Sequence, residues 1–443
     1  MENRTENNQT VPGSPGFTPF DYVKVTILGF GLSAVWASLH TVVLPLRLLD
    51  FVPESMKNSY LGYLTFAGLV LAMAVQPIVG AISDRSHFSW GRRRPYILVG
   101  SLALLLFLPG IGLWESYAVV FVCYCLMQVS SNIAQGPYQG LIPDLVPVGK
   151  WGLASGVKSL LEMVGGVSLA RLAAYFMDRY STGEGGYWLW LTLGTLGTVF
   201  LITALVTLIM VREQPGIGQP TINSQTKRER PESGGSLVTL LVNLFKRFLT
   251  YVKQHRGFVW FLVSRGLLGM PGVILQTFAL YYLTDVIGVE DPAASATNLL
   301  IVVGAALIAI VYFAGQLSDR IGRKPIMVSS GLVGAMGIVL LYLSHSYTLV
   351  LLSGALIGLA SGAFLSTSWA MATDLAADGE EAKYLGLTNL AMAAGSALAR
   401  LIGPLIDFFN TVETNMGYSV MLFACFLCFI VGSLLVLKVR GVR

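Results

Sequence analysis

Residues 80–95 read GAISDRSHFSWGRRRP, and residues 315–325 read GQLSDRIGRKP. Both strings run Gly-x-x-Ser-Asp-Arg and then Gly-Arg before a proline, about 230 residues apart. LARL recurs at 169–172 and 398–401 with a similar step, and Asp178 and Asp407 keep pace with it. Self-similarity at one long period marks an internal duplication. The chain therefore reads as two copies of one unit, each with the same short polar loop.

The loops stand between apolar runs. Of 443 residues 54% are apolar and only 12% charged, against roughly 25% charged in an ordinary soluble domain. The apolar residues gather into runs of about 18 to 25, long enough to cross a hydrocarbon core of roughly 30 Å. Twelve spans are expected, near 24–47, 58–82, 95–114, 117–141, 152–177, 187–211, 257–284, 295–317, 325–344, 347–373, 384–408 and 416–438. The fold class is thus an all-α membrane protein of twelve transmembrane helices in two pseudo-symmetric six-helix bundles. Six spans per copy keep both copies in one orientation, so their axis runs along the membrane normal and a solute site is expected between them.

The expected domains are a disordered cytosolic tail at 1–20, an N-terminal bundle at 21–211, a cytosolic linker at 212–256, a C-terminal bundle at 257–438 and a tail at 439–443. Lys and Arg crowd the loops after the second and eighth spans, at Arg85, Arg92, Arg93, Arg94, Arg320, Arg323 and Lys324. The opposite loops hold little beyond Arg47, Lys57 and Arg179. By the positive-inside rule both termini face the cytosol, of a plasma or bacterial inner membrane. The net charge of +5 belongs to these loops beside anionic lipid. No basic stripe with interleaved aromatics points to nucleic acid.

Forty-eight glycines suit close helix packing in a bilayer. Cys123, Cys125, Cys425 and Cys428 all fall inside apolar runs, where helix packing is the expected role rather than a disulfide or metal cluster. No phosphate-binding loop, nucleophile elbow or metal-ligand cluster appears, so neither an enzyme nor a cofactor is expected.

The repeated loop, through Gly80, Asp84, Arg85, Gly91, Arg92 and Arg94 and again through Gly315, Asp319, Arg320 and Arg323, resembles the signature of the major facilitator superfamily. Its expected role is a gate. Gly80 permits tight packing, and Asp84 can cap a helix of the opposite half, where free N–H groups and the positive dipole end favour a carboxylate. By pseudo-symmetry Asp84 is expected near Tyr384 and Asp319 near Trp151. Asp144 and Asp374, at the ends of the fourth and tenth spans, are the expected partners of Arg94 and Arg323. The alternative is that these basic loops only enforce topology.

Within that superfamily VQPIVGAISDRSHFSWGRRRPYI at 75–97 resembles the sucrose/proton symporters and the wider glycoside cation symporter group. Trp36, Ala37 and Pro45 fit the same pattern, as do Asn132, Gln135, Gly136, Pro137, Asp144 and Leu145 in NIAQGPYQGLIPDL. The resemblance is good in the N-terminal half and weak in the C-terminal half. It implies a sugar-like substrate. In those symporters an aspartate four residues before the asparagine takes the proton, and an arginine after the QGP string engages sugar; here Gln128 and Gln139 stand at these places. Glutamine does not titrate. The paired carboxylates of the melibiose-type relatives would fall near Met73 and Gln76.

Charges at bilayer depth are costly and usually functional. Glu162 lies roughly 15 Å into the fifth span at 1.5 Å per residue, with Lys158 one turn below on the same face. Glu162 is either the proton-coupling acid, with Lys158 beside it at the substrate, or half of a self-neutralised structural pair. Gln128, Asn132 and Gln135 form one polar stripe suited to hydroxyl groups, with interhelical bonding as the alternative. Trp36 and Trp369 are candidates for stacking on a sugar ring, with plain packing as the alternative. His40 and Gln276 complete the substrate-binding candidates. Arg171 and Arg400 are expected to snorkel or pair with acids. Arg265 receives no role.

The leading function is a monomeric secondary transporter or facilitator of a small polar solute, with protons as a candidate coupling partner and the lipid bilayer as its surroundings. The same scaffold exporting amphipathic drugs or metabolites is the first alternative. A non-transporting sensor is the second, and no soluble output domain supports it.

Overall fold

The computed structural model describes residues 18–86, 88–147, 149–211, 213, 256–375 and 381–439. Among them twelve helices are long and apolar enough to cross a membrane. They are α1 (Pro19–Leu48), α2 (Glu54–Asp84), α3 (Arg94–Leu113), α4 (Tyr117–Leu145), α5 (Trp151–Ser181) and α6 (Tyr187–Met210), then α7 (Arg256–Ile287), α8 (Pro292–Ile321), α9 (Arg323–Tyr342), α10 (Tyr347–Asp374), α11 (Tyr384–Val412) and α12 (Met416–Val436). Each coincides with an expected span. The expected linker and both expected tails fall almost wholly outside the described residues.

Packing repeats the duplication. In the first six helices α1 lies against α5 and α6, α4 against α2 and α3, and α3 against α6. In the second six α7 lies against α11 and α12, α10 against α8 and α9, and α9 against α12. Adding six to each helix of the first set gives the second set. Small residues let the backbones approach where lipid offers little hydrophobic drive. A Cβ on Gly165 of α5 would collide with the carbonyl of Phe30 on α1, and one on Gly395 of α11 would sit 2.8 Å from the carbonyl of Gly266 on α7. In the register of the LARL strings these two positions lie one residue apart in the repeat.

The halves meet through α2 against α11 and α5 against α8. The face carrying the twin Gly-x-x-Ser-Asp-Arg loops is called the motif face below. The other, opposite face holds the starts of α2 and α8 and the ends of α5 and α11. In the loops, Gly91 and Gly322 have φ of 114° and 101°, a left-handed backbone that costs glycine no strain.

Two irregularities shape the centre. Pro45 has no N–H to give the carbonyl one turn back, and the preceding turn of α1 widens into a π-turn at Leu39–Val43, which carries His40. α11 is interrupted at residues 401–402, ending at Arg400 and restarting at Gly403. Pro404 falls in the first turn of the restart, where a missing N–H is harmless.

Candidate transport site and gates

On the motif face, Arg93 rather than Arg94 organises the first loop. Its guanidinium is 6% exposed. It pairs with Asp84 at 2.7 Å and Asp144 at 2.9 Å, and donates to Ser83 Oγ at 3.1 Å. Arg92 holds the other oxygen of Asp144 at 2.5 Å. Arg94, expected on Asp144, instead stacks on Trp90 with 5.0 Å to the ring centre and donates to the Leu208 carbonyl. Glu213 caps the start of α3 by accepting from the main-chain N–H groups of Arg93 and Arg94, each at 3.0 Å.

The second loop repeats the pattern. Arg323 pairs with Asp319, with Asp374 at 3.1 Å and with Ser318 Oγ at 2.8 Å. Counting back from the proline aligns Arg93 with Arg323, and that alignment was the available signal for Arg93. Glu213 had no such signal. Arg85 and Arg320 are exposed.

Among the described residues the acids of this face pair within their own halves. Asp84 and Asp319 turn to arginines of their own halves, not to Tyr384 and Trp151. A Cβ built on Gly152 or Gly156 of α5, or on Gly386 of α11, meets nothing within 4 Å. The same holds for Gly80. Close approach of α2 and α4 comes instead from Gly136, whose added Cβ would lie 2.8 Å from the Gln76 carbonyl. Gly315 would bring its Cβ 3.0 Å from Ser366 Oγ. These glycines of α5 and α11 meet no described residue of the other half.

On the opposite face the halves are locked together. Asp178 at the end of α5 accepts from the N–H groups of Ala293 at 3.0 Å and Ala294 at 2.9 Å, the first turn of α8. Asp407 on α11 accepts from the N–H groups of Asn58 at 3.3 Å and Ser59 at 2.6 Å, and from the Asn58 side chain at 2.9 Å, in the first turns of α2. Each acid caps a helix of the other half, where unsatisfied N–H groups and the dipole favour an anion. Lys57 adds an ion pair to Asp285 at 2.8 Å, and Tyr281 donates to the Pro45 carbonyl at 2.8 Å. The duplicated spacing of Asp178 and Asp407 was visible in the sequence; their role was not.

Between the faces, α1 and α4 build a polar and aromatic cluster. Trp36 Nε1 donates to Ser131 Oγ at 2.9 Å. His40 Nε2 and the Tyr124 hydroxyl lie 2.9 Å apart, and Gln128 Nε2 donates to that hydroxyl at 2.9 Å. The Trp36 and His40 rings are 5.3 Å apart, and Trp36 meets Tyr124 edge-on at 5.9 Å. Tyr124 and Ser131 were missed, although Tyr124 extends the Gln128–Asn132–Gln135 stripe by one turn. Asn132 donates back to the Gln128 main-chain carbonyl at 2.8 Å. Gln135 is half-buried.

Lys158 and Glu162 are 3.5 Å apart, with side chains 21% and 32% exposed. Lys158 Nζ sits 5.6 Å from the Tyr138 ring centre. Tyr138 donates to the Thr26 carbonyl at 2.8 Å, and a Cβ on Gly29 would lie 2.9 Å from Glu162 Cγ. The pair thus nests on α1 and α4 of its own half.

In the second half, Gln276 lines a mainly apolar cavity of about 130 Å³ among α7, α8, α9 and α10, which Thr41 joins from the π-turn of α1. Trp369 stacks on Arg265, 5.0 Å from ring centre to guanidinium. The four cysteines are free, and among the described residues no group of His, Cys, Asp and Glu is arranged to hold a metal.

Two six-helix halves, joined at one face and parted at the other around a polar lining, define a transporter of the major facilitator fold. The chain belongs to the MFS/sugar transport protein family, whose profile matches residues 29–437. It is a multi-pass membrane transporter and not an enzyme. It is similar to the sucrose transport protein SUT5 of Oryza sativa subsp. indica, at 22% identity over 99% of this chain and 92% of that protein. It also resembles the minor myo-inositol transporter IolF of Bacillus subtilis (strain 168), at 28% identity over 31% of this chain and 30% of that one. Among solved structures, the nucleoside transporter NupG superposes with a TM-score of 0.72 at 13% identity, covering 95% of this chain and 99% of that one. A D-xylose-proton symporter superposes with a TM-score of 0.70 at 15% identity, covering 96% and 98%.

Proposed function

We propose that the protein carries a small polar solute of the sugar or glycoside class by alternating access, with the motif face and both termini in the cytosol. The observation that carries this reading is the Trp36–His40–Tyr124–Gln128 cluster, which combines ring faces with amide and hydroxyl groups beside the interface of the halves. Such a lining suits a polyhydroxylated ring. The similarity to a sucrose transport protein along 99% of the chain supports it. Gln135, Gln276 and Trp369 complete the proposed lining. The twin loops and the Asp178 and Asp407 contacts are its two gates.

Coupling is assigned to Glu162, an acid set in α5 about 16 Å from its start at 1.5 Å per residue and paired with Lys158. The test is uptake of labelled sucrose, methyl glucoside, myo-inositol and xylose into proteoliposomes, with and without an imposed pH gradient. Gradient-driven accumulation of at least one solute, lost in Glu162→Gln while solute exchange persists, is the expected result. Accumulation that ignores the gradient makes the protein a facilitator and Glu162 structural. The apolar cavity behind Gln276 favours a second reading, export of an amphipathic solute. That reading stands if only amphipathic competitors displace a bound probe.

A further inference from the structure

The cluster on α1 and α4 has a buried back and an open front. Tyr124 and Ser131 are fully buried and Gln128 is 7% exposed, whereas Trp36 and His40 are only half-buried. The α4 residues therefore lie behind those of α1. Trp36 spends its one N–H on Ser131 Oγ at 2.9 Å and offers a ring face. His40 is the polar group at the front.

What His40 offers is decided at the Tyr124 hydroxyl. Among the described residues that oxygen meets two groups, Gln128 Nε2 and His40 Nε2, each at 2.9 Å. An amide nitrogen only donates, so the hydroxyl accepts from Gln128. Its own hydrogen is buried and needs an acceptor, and His40 Nε2 is the one in reach. A ring nitrogen that accepts carries no hydrogen, so the neutral imidazole holds its proton on Nδ1. An imidazolium, or the other tautomer, would give the hydroxyl a second donor and leave its buried hydrogen without a partner. The Trp36 ring, 5.3 Å away and tilted by 33°, packs beside the imidazole. Nδ1 has no partner among the described residues and is not one of the buried unpartnered atoms, so it is open to solvent.

We propose that Tyr124 and Gln128 are positioning residues that fix His40 with its proton on Nδ1, and that this N–H donates to one oxygen of the transported solute, which makes the site specific for an acceptor at that point. This rests on the sugar-class reading above. The first test needs no solute: nitrogen NMR of the full-length protein labelled at histidine, with the His40 signals assigned by their loss in His40→Asn. A protonated Nδ1 and a bare Nε2 are expected, and a proton on Nε2 overturns the proposal. Tyr124→Phe should mix the two tautomers, and Gln128→Glu should favour the proton on Nε2, because an ionised carboxylate only accepts and reverses the relay. His40 signals unchanged in both variants overturn it as well. The second test is calorimetric binding of methyl glucoside and its single deoxy and deoxyfluoro analogues, since fluorine in place of a hydroxyl can accept but not donate. At one ring position the deoxy analogue is expected to bind about tenfold more weakly while the fluoro analogue binds like the parent, and Tyr124→Phe should erase that difference. Binding of methyl glucoside with no such position overturns the proposal and leaves the sugar reading in place. Failure of methyl glucoside to bind protein that still melts cooperatively overturns both.

Discussion

On the motif face Asp84 and Asp319 turn back on Arg93 and Arg323 of their own halves, whereas on the opposite face Asp178 and Asp407 reach across to the first turns of α8 and α2. All four acids come in repeat-related pairs, and the chemistry open to each is the same. The difference lies in what is near. A carboxylate at the motif face has a basic loop of its own half within reach, and an arginine of that loop satisfies it. At the opposite face the nearest donors are main-chain N–H groups of the other half, and only closure brings them together. One face therefore holds acids satisfied within their own half, and the other holds acids satisfied across the interface.

The largest effect is expected from the locked face. Asp407→Ala removes an acceptor of three hydrogen bonds at a site 6% exposed, each worth about 1.5 to 3 kcal/mol when the acceptor is charged. Together with Asp178→Ala it should lower transport at least tenfold. It should also reduce maleimide labelling of a Gly156→Cys reporter as the motif face closes. Unchanged labelling and transport would remove these acids from the gate.

Arg93→Ala should come next, because it leaves Asp84 unpaired and Asp144 with Arg92 alone, and empties a buried site. A loss of about 3 kcal/mol is expected from breaking such a pair. Arg94→Ala, whose side chain meets Trp90 and a carbonyl, should cost less than half as much by thermal unfolding. Equal losses would erase the distinction between the two arginines.

The smallest stability effect belongs to Asp84→Ala and Asp319→Ala. These acids are 56% and 65% exposed in this conformation, and exposed pairs contribute about 0 to 1 kcal/mol. Transport should nevertheless fall strongly in both, since the missing carboxylate would serve the other conformation. Normal uptake together with normal stability would show that the twin loops set topology alone.

Much of this was legible in the chain. Hydropathy located the twelve spans because a bilayer demands long apolar helices with internally bonded backbones, and the repeated loop announced two like halves. The α4 stripe could be read from spacing, since helical period places Gln128 and Asn132 on one side. Three matters were not legible. What Arg94 meets instead of Asp144 depends on the path of a left-handed turn at Gly91. That His40 meets Tyr124 depends on the π-turn before Pro45 and the packing of α1 beside α4. That Arg400 pairs with no acid among the described residues depends on where α11 breaks.

The sequence alone determined a twelve-span, twofold-repeated membrane protein, because span length, loop charge and repeat period are local properties written residue by residue. Tertiary structure alone decided which face is locked and which acids lock it. Those outcomes depend on distances between helices far apart in the chain, and a carboxylate carries no mark of the helix it will cap.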